Sequence, residues 1–349
     1  MRTIPLGRYQ IGENHPPFVI AELSGNHNGS LDRALEIVKA AAKAGAHCLK
    51  LQTYTADSLT IDCDLPDFRI TDPESLWHGR SLYELYQEAS TPWEWHAPIF
   101  DLCRELGMVP LSTPFDVAAV DFLESLGVEA FKIASFEAVD LALVRRIAQT
   151  RKPVIASTGM STLSEVEEMV TALRTEGNED LVLLKCTSAY PATAKDANLK
   201  TLAHMRDAFG THVGLSDHTM GIGVAVASVA HGAVVIEKHF TLRRADGGVD
   251  SAFSLEPAEL QMLVQETKQA WEASGQVAYG PRKDEAPSLR FRRSLYASQD
   301  IGAGELFSHE NTRVIRPGYG LAPRFHPIIL GKKAKTALKK GERITWDVV

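Results

Sequence analysis

Two segments of the chain, GLSDHTMG at 214–221 and VIEKHFTL at 235–242, begin as apolar or small runs and end in polar groups around a histidine. Side chains two apart on a strand share a face. LSDHT then pairs Ser216 with His218, and IEKHF pairs Glu237 with His239. The same test pairs Lys50 with Gln52 in LKLQT and Lys185 with Thr187 in LLKCT. Other short β-rich runs end in Glu22, in Thr113, in Lys132 before Ser135, and in Ser157. Polar residues at the end of nearly every run are costly to bury without partners. A structural hydrogen-bond network accounts for a few of them, and a site accounts for so many. Three lysines among hydroxyls suit a phosphate or a carboxylate, unless some point outward or pair with Glu22 or Glu237. The neutral imidazoles of His218 and His239 suit one shared divalent cation, completed by carboxylates or water. A lone histidine would read as structural. Asp217 has the wrong parity to face inward with His218 and is expected to cap the following turn.

The elements that must position these residues alternate regularly. FVIAEL, CLKLQT, MVPLST, AFKIAS, PVIAST, LVLLKC, HVGLSD and VVIEKH read as strands. Segments of helical period separate them, such as LDRALEIVKAAAKAG and LSEVEEMVTALRTEG. Gly45, Gly107, Gly127, Gly177 and Gly210 stand where helices should stop, and Pro257 suits the first turn of an eighth helix. Eight β–α repeats predict an α/β fold of the (β/α)8 TIM-barrel type, with the polar collar at its C-terminal mouth. Counting segments does not distinguish this from a doubly wound open sheet. One connection, Tyr54 to about Thr91, is far longer than its neighbours and would lie over that mouth. The repeat stops near Gly275. We expect a barrel domain over 1–280, a Gly/Pro/charge-rich linker over 281–291 and a small separate domain over 292–349. The basic run GKKAKTALKKGER reads as a solvated face rather than a phosphate site.

Composition sets the class. With 349 residues, 44% apolar and 23% charged, the chain can bury a large core. A net charge of −7 argues against nucleic acid or an anionic membrane surface as partner. MRTIPLGRYQIG has no apolar targeting core, and no stretch is long enough to span a bilayer. Cys48, Cys63, Cys103 and Cys186 form no C-x-x-C pair and read as reduced thiols of a cytoplasmic protein.

AELSGNHNG, LKLQT, STPFD, KIAS, STGM, CTSAYP, GLSDHT and EKHFTL stand in an order that resembles the sialic acid synthase family. Members of that family condense phosphoenolpyruvate with an amino-sugar to make nonulosonic acids. SLYASQDIGAGELFSHENTRVIRPGYGL resembles the family's antifreeze-like (SAF) domain, so the likeness spans essentially the whole chain. WHGRSLYELYQEASTPWEW resembles the pseudaminic acid synthase subgroup, which uses 2,4-diacetamido-2,4,6-trideoxy-L-altrose. The resemblance implies that Lys50, Thr113, Lys132, Ser135, Ser157 and Ser216 hold phosphoenolpyruvate. Lys185 falls in the same pocket at a variable position, and Ser188 replaces a family Asn. It implies His218 and His239 as ligands of manganese or magnesium, and Glu22 as a carboxylate near the reacting carbons. Glu137, Tyr190 and Asp250 are implied to line the sugar site. Arg316 is implied to reach the sugar from the other subunit of a domain-swapped homodimer. Three rivals stand beside this reading: an N-acetylneuraminate or legionaminate synthase, a metal-dependent pyruvate aldolase, and a non-catalytic sugar- or ice-binding protein.

Overall fold

The computed structural model describes every residue, Met1–Val349, and the chain divides into two compact units, Met1–Gly275 and Gln276–Val349.

The first unit is built on eight parallel strands: β1 Phe18–Glu22, β2 Cys48–Thr53, β3 Val109–Pro114, β4 Phe131–Ile133, β5 Val154–Ser157, β6 Leu181–Cys186, β7 His212–Ser216 and β8 Ala233–His239. Their order in the sheet is β3-β2-β1-β8-β7-β6-β5-β4. The two end strands, β3 and β4, also touch. The sheet is therefore a nearly closed TIM-like barrel, which decides against the open sheet. Pairing of β8 with β1 joins the last strand to the first, with Glu237 opposite Ile20 and His239 opposite Glu22.

Eight main helices cover the outside: α1 Leu31–Ala44, α2 His96–Glu105, α3 Val117–Ser125, α4 Leu141–Gln149, α5 Leu163–Thr175, α6 Lys200–Phe209, α7 Gly223–Ala230 and α8 Pro257–Ser274. Local signals start and stop them. Ser30 accepts from Arg33 N at the start of α1, Thr162 and Glu165 form a reciprocal cap on α5, and Pro257 opens α8. Gly45 takes the left-handed conformation (φ 90°) that lets α1 end and turn into β2.

Both strand faces are buried, as expected of a parallel barrel. Val19, Ala21, Leu49, Leu51, Leu183 and Leu215 pack outward under the helices, whereas Ile20, Cys48, Leu111, Ile155, Leu184 and Val235 fill the barrel. An N-terminal hairpin, Ile4–Leu6 with Tyr9–Ile11, adds Ile4, Leu6 and Ile11 to that inner cluster. The sequence reading assigned this segment no structure. The long β2–α2 connection contains short helices at Ala56–Leu59 and Leu82–Ala89 and a bridge between Arg69 and Ser81.

The second unit has its own core of Leu295, Ala297, Ile301, Phe307, Leu321, Ile329, Ala334, Leu338 and Ile344. Its strands Ser294–Ala297 and Thr312–Ile315 pair antiparallel. No helix of either unit is long and apolar enough to cross a membrane.

Candidate active site

In a parallel sheet, residues in register share a face, and the register here traces one inward ring near the barrel mouth. His239 pairs with Glu22, Glu22 with Lys50, Gln52 with Thr113, Lys132 with Ile155, Ser157 with Leu184, Cys186 with Ser216, and Ser216 with Glu237. Glu22, Lys50, Thr113, Lys132, Ser157, Ser216, Glu237 and both histidines are all buried.

Their charges interlock. Lys50 forms an ion pair with Glu22, lies 3.7 Å from Glu237 and donates to Thr113 Oγ1 at 3.3 Å. Lys132 lies 3.9 Å from Glu237 and donates to Ser157 Oγ at 2.7 Å and Ile133 O at 3.0 Å. Burial pushes the Glu22 carboxyl up to about 7, and Lys50 reverses only part of that rise. Burial opposes ionisation of Glu237 as well, but Lys132 and Lys50 together hold it below the usual range. Lys132 is lowered by burial, while Lys50 is raised because its two carboxylates outweigh burial. Glu22 Oε1 and Glu237 Oε2 are buried and accept no hydrogen bond. Unsatisfied buried carboxylate oxygens are costly, and Lys50 and Lys132 offset part of that cost by charge.

Beside the lysines lies a hydroxyl cradle. Ser135 Oγ accepts from Gly159 N at 3.0 Å. A Cβ at residue 159 would stand 2.3 Å from Ser188 Oγ and 2.7 Å from Ser135 Oγ, so glycine alone admits both serines.

The two histidine rings lie 5.4 Å apart, and Phe253 packs against both. His218 Nδ1 faces Thr187 O at 2.9 Å; a carbonyl only accepts, so Nδ1 donates, and Nε2 is the nitrogen left for a cation once the ring is deprotonated. Burial opposes protonation of this ring, but Cys186 and Thr187 O raise its pKa above the usual value. His239 is held well below its usual pKa by burial and by His218, Lys50, Lys238 and Lys132, so its ring is neutral. His239 Nδ1 is buried without a partner, 3.9 Å from Asp250 Oδ2. Asp250 accepts from Ser24 Oγ at 2.5 Å. No three His, Cys, Asp or Glu side chains converge as a complete metal shell. The unpartnered nitrogen of His239 and Nε2 of His218 nevertheless fit a divalent cation whose remaining ligands are water or substrate oxygens, the cation displacing the proton that His218 otherwise favours.

A cavity of about 510 Å³ opens beside His239. Ser24, Gln52, Glu137, Tyr190, His239 and Asp250 form its polar side. Leu59, Ile70, Trp77, Leu82, Leu85 and Tyr86, all from the long connection, form an apolar wall. Trp77 Nε1 donates to Val249 O at 3.0 Å, which ties that wall to the loop after β8. Glu137 lies in the turn after β4; burial raises its carboxyl to about 7, and Oε2 has no partner.

The structure thus brings together the barrel residues named from the sequence, apart from Lys185 and the Thr187 paired with it. Lys185 is on the outward face of β6, half-buried, and donates to Cys186 O at 2.7 Å and Thr187 Oγ1 at 3.4 Å. Two lysines converge, not three. LVLLKC is apolar on both faces, so alternation within it does not reveal which face looks inward; the register with Ser216 does. The inward residue is Cys186, whose Sγ lies 3.9 Å from His218 Nδ1 and 3.8 Å from Ser188 Oγ. Burial opposes ionisation of this thiol, but His218, Ser135 and Lys132 bring it down to about 7. Sequence reasoning missed Cys186, Gly159, Ser24 and Phe253; continuing the inner row from Leu184 would have found the first. Asp217 caps the turn as expected, accepting from Thr219 N at 3.0 Å. In the second unit Arg316 is exposed, on a loop held by Ser294 Oγ, which donates to Pro317 O at 2.7 Å and accepts from Gly320 N at 2.9 Å.

Comparison with known proteins matches residues 37–279 to the NeuB family and residues 292–349 to the SAF domain. Pseudaminic acid synthase of Campylobacter jejuni is 46% identical over 94% of this chain and 95% of its own length. Pseudaminic acid synthase of Helicobacter pylori is 41% identical over 95% of this chain and 97% of its own. The crystal structure of N-acetylneuraminic acid synthetase from Leptospira borgpetersenii superposes with a TM-score of 0.73 at 31% identity, over 83% of this chain and 96% of that one.

Proposed function

The chain belongs to the NeuB family and is an enzyme, and from that premise we propose that it is a synthase of pseudaminic acid. It condenses phosphoenolpyruvate with 2,4-diacetamido-2,4,6-trideoxy-L-altrose and water, releasing phosphate. The observation that carries this reading is the division of the mouth. Lys50, Lys132 and the Ser135, Ser157 and Ser188 hydroxyls gather at the strand ends, and the cavity beside His239 has an apolar wall from the long connection. The first group suits a compact anion with several oxygens. The second suits a sugar that carries a methyl group instead of a hydroxymethyl.

Lys50 and Lys132 neutralise the phosphate and carboxylate of phosphoenolpyruvate, and the serine hydroxyls orient the phosphate oxygens. C3 of phosphoenolpyruvate forms the new bond to the sugar's aldehyde carbon. Water adds at C2, and the C2–O bond to phosphate breaks. Glu22, titrating near neutrality beside Lys50, holds or accepts a proton at its unpartnered Oε1. A manganese or magnesium ion held by His218 and His239 would supply Lewis-acid polarisation of the aldehyde oxygen. Glu137, Tyr190 and Asp250 orient the sugar, and the apolar wall excludes water around it. Arg316 completes the sugar site of the partner's barrel in a domain-swapped homodimer working in the cytoplasm.

The test offers phosphoenolpyruvate with each candidate amino-sugar and follows phosphate release, identifying the product by mass and NMR. The trideoxy-altrose sugar is expected to have the highest kcat/KM, and exhaustive chelation to stop turnover until manganese or magnesium is restored. A higher kcat/KM with N-acetylmannosamine sinks the substrate assignment. Full activity after verified metal removal sinks the metal assignment.

A further inference from the structure

The two histidines belong to neighbouring strands, but the backbone does not hold them together. The β7–β8 ladder ends at Ser216 opposite Glu237, with a last bond from Asp217 N to Glu237 O at 2.9 Å. Past that point the chains turn to other neighbours. His218 O accepts from Ala192 N at 3.0 Å, and His239 O accepts from Leu255 N at 2.8 Å.

What still spans the gap is a side-chain pair on the opposite face. Strand side chains alternate, so Asp217 and Lys238, each one residue before a histidine, point outward where the histidines point inward. Lys238 Nζ donates to Asp217 Oδ2 at 2.8 Å and to Thr219 O at 2.6 Å. Asp217 Oδ1 accepts from Thr219 N at 3.0 Å and Thr219 Oγ1 at 2.8 Å. Lys238 therefore grips the residues on both sides of His218. The side chains of the pair are 0% and 2% exposed.

We propose that the buried Asp217–Lys238 pair is the positioning device that sets the spacing of His218 and His239, and with it the affinity for a divalent cation. The inference rests on the metal reading above. Buried ion pairs seldom add net stability, and their best-attested use is to fix register. Here the pair has a register to fix, because two rings 5.4 Å apart must present nitrogens to one ion from strands that have ceased to pair.

The test reads Mn²⁺ affinity directly, by EPR titration of the full-length protein, together with thermal melting. Asp217→Asn and Lys238→Met are each expected to weaken Mn²⁺ binding by about tenfold or more, as outer supports of metal ligands do. Each also leaves one buried charge unpaired and melts lower. The double variant Asp217→Leu/Lys238→Met removes both charges, and is expected to recover most of the melting temperature while binding Mn²⁺ about tenfold more weakly than wild type. A folded double variant with wild-type affinity overturns the proposal. Should the double variant not fold, Thr219→Val decides. It removes only the hydroxyl bond to Asp217, and is expected to weaken binding about threefold at near-wild-type melting temperature; unchanged affinity overturns the proposal. A wild-type chain that binds no Mn²⁺ overturns the metal reading and this inference with it. Wild-type binding with an unaffected variant overturns this inference alone.

Discussion

Glu137 is the residue whose environment conflicts most plainly with its charge. Its carboxyl sits in the turn after β4, at the cavity's polar edge, with Oε2 unpartnered, and burial raises its pKa from 4.5 to about 7. Below about pH 4.5 it is protonated whether the chain is folded or not. Between about 4.5 and 7 the unfolded chain gives up the proton first. Stability therefore falls as pH rises through that window, by a total on the order of 3 kcal/mol once pH exceeds about 7. Glu137→Gln removes the titration. Its stability relative to wild type should be nearly unchanged at pH 4.5, should rise through about pH 7 and should level off by pH 8, as urea melts of the substrate-free protein would show. A difference that stays flat with pH would mean that the carboxylate is satisfied when folded. Glu137 was legible as a sugar-site residue only through the family resemblance, since nothing in SFEAV announces that this carboxyl is buried. Lys185 shows the opposite case, a charged residue near a strand end that the sequence invites into the site and the register turns away.

The long β2–α2 connection is the element that most shapes the cavity, and its aromatic residues divide into two jobs. Trp77 and Tyr86 line the cavity. Trp93 stacks on Phe122 of α3 at 4.6 Å and Trp95 meets His27 at 5.5 Å, so these two pack the connection's end onto the barrel. The buried His96 at the start of α2 helps to seat that end. Its Nδ1 donates to Pro92 O at 3.2 Å, so Nε2 accepts from Thr53 Oγ1 at 2.8 Å, and burial lowers its pKa to about 4. Only the first half of the aromatic stretch lines the cavity. Trp77→Phe keeps an aromatic ring at the wall and deletes the bond to Val249 O. One hydrogen bond of ordinary strength predicts a KM for the sugar raised about 2- to 10-fold. The KM for phosphoenolpyruvate should stay unchanged, because Trp77 bonds Val249 O and packs on Tyr190 rather than on either lysine. Steady-state kinetics with each substrate varied in turn would decide it; equal changes in both constants would make the bond a global support.

At the scale of the molecule, each unit has a core of its own, so a swap of the second unit would leave the core of the first intact. In the swapped dimer proposed above, Glu22→Ala disables the barrel part of a site and Arg316→Ala the part supplied by the second unit, and each homodimer should be nearly inactive. Mixed dimers would combine one intact barrel with one intact Arg316. Equal amounts after subunit exchange should regain roughly a quarter of wild-type activity, because half the dimers are mixed and each has one complete site. No recovery despite demonstrated exchange would place Arg316 in the service of its own barrel. The N-terminal hairpin is a second feature of this scale, since Ile4, Leu6 and Ile11 join the interior cluster of the barrel.

The sequence by itself determined the β–α alternation, the helix ends at Gly45 and Pro257, the polar strand ends and the small C-terminal domain. Each is a local matter, governed by residue period, capping and turn chemistry within a few positions of the chain. Barrel closure, the inward face of β6, the pairing of Asp217 with Lys238 and the fate of the N-terminal hairpin were decided only by the tertiary structure. The physical reason is common to all four. A strand buried on both faces carries little alternation to mark its inner side, and a hairpin three residues to a strand carries less. Their orientation is chosen by neighbours far away in the chain: β8 closing on β1, Ser216 opposite Cys186, and Ile4 among the residues that fill the barrel.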